Sequence, residues 1–142
     1  MDWKVFPANK ENYYSMLDYV IEIAEKNNIP EEKLMSLELG FEEAASNVIN
    51  YAYGDKSGKI FIRAYCEGEN FFIELKDSGK KFNPLDVDVK DKNFPKDLDD
   101  AQIGGFGIMF MHQIFDEINY NYCKEGKIFY NWLKMCIKIN KE

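Results

Sequence analysis

Two stretches of aromatic and β-branched residues, each broken once by a short glycine turn, constrain the fold of this chain more than any other feature. The first runs KIFIRAYCE, GEN and FFIELKD over residues 59–77; the second runs EINYNYCK, EGK and IFYNWLKMCIKIN over residues 117–140. Successive side chains of a strand point to opposite faces, and Val, Ile, Phe, Tyr and Trp suit a pleated, half-buried surface. Each stretch is expected to fold as an antiparallel hairpin.

Ahead of the first hairpin the apolar period changes. After a short strand at Trp3–Phe6, the segment KENYYSMLDYVIEIAEKNN places Tyr14, Leu17, Ile21 and Ala24 at helical spacing. The next segment, IPEEKLMSLELGFEEAASNVINYAYG, starts with a proline and acids and reaches its C-cap near Gly54. Its stripe is Leu34, Leu37, Phe41, Ala44, Val48 and Ala52. A third helix is expected from Gly104 and Gly105, with Ile108, Met111 and Phe115 facing inward. The order helix, helix, hairpin, loop, helix, hairpin predicts an α+β fold: a mixed, mostly antiparallel sheet with helices on one face. Residues 78–102, acidic and lysine-rich with two prolines, read as a long loop, which a compact domain rarely keeps without a use.

Length and charge narrow the function. The 142 residues suit one ordinary core, so the chain is read as a single domain over 1–142. A formal charge of −7 argues against wrapping a nucleic-acid backbone. Arg63 is the one arginine, so phosphate chemistry would rest on lysine, backbone N–H groups or a metal. Cys66, Cys123 and Cys136 are too dispersed for a disulfide framework or a zinc site and are expected to be reduced thiols. No apolar run has the length to span a bilayer. A cytoplasmic protein without membrane contact is the expectation.

Three local patterns carry chemistry. Glu43, Asn47 and Asn50 recur at helical spacing beside the apolar stripe. An Asn oxygen is a hard neutral ligand suited to Mg²⁺, and a carboxylate one turn earlier could take a proton from an attacking hydroxyl. Asp77 ends a strand, and its carboxylate can only accept hydrogen bonds, for which the exocyclic amine of adenine is a natural donor. Gly79, two residues on, would let the backbone pass a flat base or take a left-handed conformation. Gly104, Gly105 and Gly107 would bring backbone N–H groups at a helix N-terminus close to phosphates.

In this order the patterns resemble the GHKL ATPase superfamily, which includes gyrase, histidine kinases and mismatch-repair ATPases. EEAASNVINYAY is similar to its asparagine box, DSGKKFNP to its first glycine box and GGFGIMFM to its second. The small size, FNPL and IGGFGI resemble the stand-alone RsbW-like anti-sigma factor kinases. The resemblance implies a Bergerat fold, a two-layer α/β sandwich, with an ATP lid at about residues 78–102. It implies Glu43 as general base and Asn47 as the Mg²⁺ ligand. Asn50, Asp77, Gly79, Phe82, Gly104, Gly105, Phe106 and Gly107 would then hold ATP. The implied activity is phosphorylation of a serine on an anti-anti-sigma (STAS) protein by an ATP-dependent serine/threonine kinase. A sigma factor would be the other partner, and monomer and homodimer both stay open. A nucleotide-gated binding protein of the same fold without useful catalysis is the alternative. Two departures bear on it: Lys81 stands where the family has a second glycine, and DDAQIGG lacks the arginine that sporulation-type kinases carry before the second box.

Overall fold

The computed structural model describes residues 2–86 and 111–139. Five strands form one sheet: β1 (Lys4–Pro7), β2 (Lys59–Glu67), β3 (Asn70–Asp77), β4 (Glu117–Glu125) and β5 (Ile128–Lys138), in the order β1-β2-β3-β5-β4. Every pairing is antiparallel. Both expected hairpins form, closed by two-residue turns with Gly68 and Gly126 at φ +60° and +64°, the left-handed conformation that glycine adopts without steric cost.

Helix α1 (Tyr13–Lys26) follows a 3₁₀ turn whose cap is Asn9, the side chain accepting from Asn12 N at 3.0 Å. Its buried stripe is Met16, Leu17, Val20 and Ala24. Tyr14, expected inward, is 72% exposed, and Tyr13 instead stacks on Phe41. Helix α2 (Glu31–Asn47) buries Leu37, Gly40, Phe41, Ala44 and Ala45. A Cβ on Gly40 would come within 2.7 Å of the Phe115 ring, so α2 crosses the segment after helical residues 111–114 almost backbone to side chain. Beyond Asn47 the helix widens into a π turn, Val48–Ala52, before Gly54 at φ +60°. No helix among the described residues is long and apolar enough to cross a membrane.

Alternation sorts the sheet into two faces. Phe6, Ile60, Ile62, Ala64, Phe71, Ile73, Leu75, Met135 and Ile137 join the helices in one core. The opposite face carries Glu74, Lys76, Arg63, Tyr65 and Trp132, and it too excludes water: Glu74 is 2% and Lys76 6% exposed. Glu74 accepts from Arg63 Nε at 3.0 Å and Nη2 at 3.1 Å, from Tyr65 Oη at 2.5 Å and from Trp132 Nε1 at 2.7 Å. Lys76 pairs with Glu125 at 3.1 Å, with the Trp3 and Tyr130 rings 4.7 and 4.8 Å from its ammonium. Burial pushes the Glu74 carboxyl up, but its bonds from Arg63, Tyr65 and Trp132 outweigh this and hold it below the usual value.

A carboxylate held low stabilises the fold above its unfolded pKa and ceases to do so as pH falls through the folded one. Glu74→Ala leaves Arg63, Tyr65 and Trp132 without their shared acceptor and is expected to cost about 2–3 kcal/mol in urea unfolding at neutral pH. The difference from wild type should shrink below about pH 4; an equal loss at both pH values would rule out the ionised carboxylate as its source.

Candidate nucleotide site

The register of the sheet sets the floor of a cleft. Asp77, the last residue of β3, lies opposite Asn131 of β5, and Leu75 lies opposite Leu133. Ala44, Asn47, Val48, Tyr51 and Ala52 of α2 and its π turn form one wall; Tyr120 of β4 and the loop residues Lys80, Phe82 and Pro84 complete the lining. The described part of the expected asparagine box thus meets the described first glycine box across one hollow.

The π turn decides which asparagine enters it. Closing each backbone ring over five residues turns the chain less per residue than an α-helix does. Asn50 therefore falls short of the face it would share with Asn47. Asn47 lines the cleft together with Tyr51, whereas Asn50 is exposed and lines a separate hollow with Lys10, Tyr13, Glu42 and Ser46. The structure places Asn50 away from Asp77, contrary to the shared face expected from α-helical spacing. Glu43, one turn before Asn47, is half-buried, and burial and the neighbouring Glu42 raise its carboxyl above the usual range. It is not among the described residues that line the cleft.

Asp77 is 5% exposed. Its Oδ1 accepts from Gly79 N at 2.9 Å and from Asn131 Nδ2 at 3.0 Å. Burial raises its pKa, and these two bonds work in the opposite direction. Of the two uses expected of Gly79, the left-handed conformation is not the one it takes. A Cβ there would lie 2.2 Å from the Ala52 carbonyl oxygen. The glycine lets the loop press against the backbone of the π turn, where Lys80 N donates to Ala52 O at 2.6 Å. Tyr53 adds a second tie: its hydroxyl accepts from Ser78 N at 3.0 Å and donates to Lys59 O at 2.5 Å.

Asn131 joins these parts. Its Nδ2 reaches Asp77 and, at 2.9 Å, Lys80 O; its Oδ1 accepts from Phe82 N at 3.0 Å and Tyr120 Oη at 2.5 Å. Phe82 therefore enters the cleft lining through a loop that β5 holds. Asn83 then caps the following 3₁₀ turn, its Oδ1 accepting from Leu85 N at 2.9 Å. Lys81 turns outward, with its ammonium 5.1 Å from the Tyr122 ring. The sequence held a signal for Asn131: it occupies the same strand parity as Leu133, Met135 and Ile137, so a polar side chain stands in a row of core positions.

Gly104, Gly105, Phe106 and Gly107 lie outside the described residues, as does the expected lid from residue 87 onward. The three cysteines are free thiols. His112 is exposed. No group of three or more His, Cys, Asp or Glu side chains among the described residues could hold a metal. The Asn47 amide oxygen nevertheless suits Mg²⁺ that takes most of its ligands from phosphates and water.

The sequence matches the family described as histidine kinase-like ATPase domain over residues 6–137. A search of curated protein sequences finds no match. Among solved structures, the fold is similar to that of the Acinetobacter baumannii histidine kinase AdeS, with a TM-score of 0.50 and 13% identity; the alignment covers 99% of this chain and 69% of that one.

Proposed function

Because this chain belongs to the histidine kinase-like ATPase domain family, we propose that its cleft binds ATP with Mg²⁺ and that the protein is a serine/threonine kinase acting on an anti-anti-sigma protein. The observation that carries the nucleotide reading is the buried Asp77 carboxylate at the floor of a cleft whose wall presents Asn47. Among the described residues Asp77 forms no ion pair, and the 6-amino group of adenine is a neutral donor that a buried acceptor can take. Tyr51, Phe82 and Tyr120 supply aromatic walls. In this reading Asn47 would hold Mg²⁺, which would supply charge neutralisation at the phosphates. Glu43 would accept the proton of the attacking serine hydroxyl while the γ-phosphoryl of ATP passes to that oxygen and ADP leaves. The serine acceptor on a STAS partner and sequestration of a sigma factor are supported by FNPL and IGGFGI.

Calorimetric titration with ATP and ADP, with and without Mg²⁺, tests the first half, and heat of binding is expected for both nucleotides. Asp77→Asn keeps the volume but sets an amide donor where an acceptor is needed, and should weaken ADP about tenfold or more. Unchanged affinity would remove Asp77 from the adenine site. Labelled ATP mixed with a cognate anti-anti-sigma protein tests the second half by the appearance of phosphoserine. The absence of an arginine in DDAQIGG favours a second reading, a nucleotide-gated binder. Partner binding that responds to ATP without phosphoserine would select it.

A further inference from the structure

Among the described residues, the Asn131 side chain hydrogen-bonds both the Asp77 carboxylate and the loop following it, donating through its amide nitrogen and accepting through its oxygen. Its amide N–H groups face two acceptors, Asp77 Oδ1 and Lys80 O, and its oxygen faces two donors, Phe82 N and Tyr120 Oη. Flipping the amide would set oxygen against oxygen at Asp77 and at Lys80, and nitrogen against the N–H of Phe82, so the bonding pattern fixes its orientation. Asp77 therefore always meets a donor from β5. Both of its bonds, from Asn131 and from Gly79, fall on Oδ1. Among the described residues no hydrogen bond falls on Oδ2, which can accept from whatever enters the cleft.

We propose that Asn131 is the specificity-determining residue of the cleft, holding Asp77 as a carboxylate acceptor so that the site takes 6-aminopurine nucleotides and rejects 6-oxopurine nucleotides. The inference rests on the reading of the cleft as an adenine-nucleotide site. A carboxylate aligned with the amine of adenine would face the lone pairs of the oxygen that replaces it in hypoxanthine. A protonated carboxyl would reverse this preference, because its O–H can donate to that oxygen and offers less to an amine. Burial already favours the protonated form, and the bonds from Asn131 and Gly79 oppose it. The other titratable groups facing Asp77 across the cleft are Tyr51 at the helix end, Lys80 in the loop and Tyr120 on β4. None of them is a source of its shift. Asn131 thus acts on the base through Asp77, as a positioning residue.

The test compares ADP with inosine diphosphate by calorimetry across about pH 5 to pH 8. The wild-type protein should prefer ADP by at least about tenfold, with the ratio changing little above about pH 6. Asn131→Asp keeps the shape and the acceptor toward Phe82 and Tyr120, but removes the donor and sets a second carboxylate beside Asp77. The pair then shares a proton. Its ADP preference should fall about tenfold and fall further as the pH is lowered. Asn131→Leu, which lacks any charge, should lose preference in the same direction with a weaker pH dependence and guards against a folding defect in the first variant. If both variants weaken the two nucleotides equally, with an unchanged ratio at every pH, Asn131 merely braces the loop and the inference is overturned. Wild-type protein that binds neither nucleotide would overturn the adenine reading itself, a result distinct from the loss of selectivity.

Discussion

Gly79→Ala is expected to reduce ADP affinity by more than about 100-fold and to lower the thermal midpoint, because the added methyl group has no place to go. The Cβ would lie 2.2 Å from the carbonyl oxygen of Ala52, 2.6 Å from its carbonyl carbon and 2.7 Å from its Cβ. No rotamer relieves a contact with backbone, so one of two segments must move. If the loop moves, it loses the Lys80 N bond to Ala52 O and the Gly79 N bond that helps orient Asp77. If the π turn moves, it carries Tyr51 and the wall of the cleft with it. Either relaxation costs about 3 kcal/mol, as overpacking in a tight interior does, and about 3 kcal/mol spent at the binding geometry exceeds 100-fold in affinity. Gly126→Asn is the control. Gly126 has no atom within 4 Å of a built Cβ and a φ of +64° that asparagine tolerates, so nucleotide affinity should be unaffected there. Wild-type affinity in Gly79→Ala would show that contact between loop and helix end does not shape the site.

The parts of this architecture that could be read from the sequence are those set by local pattern. The period of two in residues 59–77 and 117–138 places both hairpins, because a one-residue slip would turn a whole strand inside out. Asp77 is legible as a strand-ending acid for the same reason. The π turn is not, since the Ala52 carbonyl it presents is satisfied by Lys80 N from a distant loop. With it went the placement of Asn50, which α-helical spacing puts on the wrong side. Tyr13 and Tyr14 exchange roles because the 3₁₀ turn at Lys10–Asn12 sets the phase of α1, and the amphipathic pattern alone accepts either phase. The burial of Glu74 and Lys76 is not set by local pattern, because Trp3 ahead of β1 and Tyr130 and Trp132 of β5 reach across the sheet to cover them. Asn131 needed the register of β3 on β5 before its side chain could be paired with Asp77.

Glu43→Gln is expected to lower phosphoryl transfer to the serine acceptor by about 10²–10⁴-fold while leaving ADP affinity within about twofold of wild type. The carboxyl is half-buried one turn before Asn47, and burial, with Glu42 adding repulsion, raises its pKa. A raised carboxyl holds a proton more tightly than a free one, which improves a general base as its pKa approaches the working pH. The rate should accordingly climb with pH through that pKa and then level off. Glu42→Gln removes the like charge and should shift the climb to lower pH, more at low ionic strength than at high, since Glu42 is exposed and its field is screened. The sign for stability is opposite to that of Glu74. A carboxyl with a folded pKa above its unfolded value disfavours the folded state once ionised, so Glu43→Gln should match or slightly exceed wild type in urea at neutral pH. Lost transfer with retained fold and retained ADP binding separates a proton acceptor from a residue that only supports the helix. Transfer at the wild-type rate in Glu43→Gln would leave nucleotide-gated binding as the function of this domain.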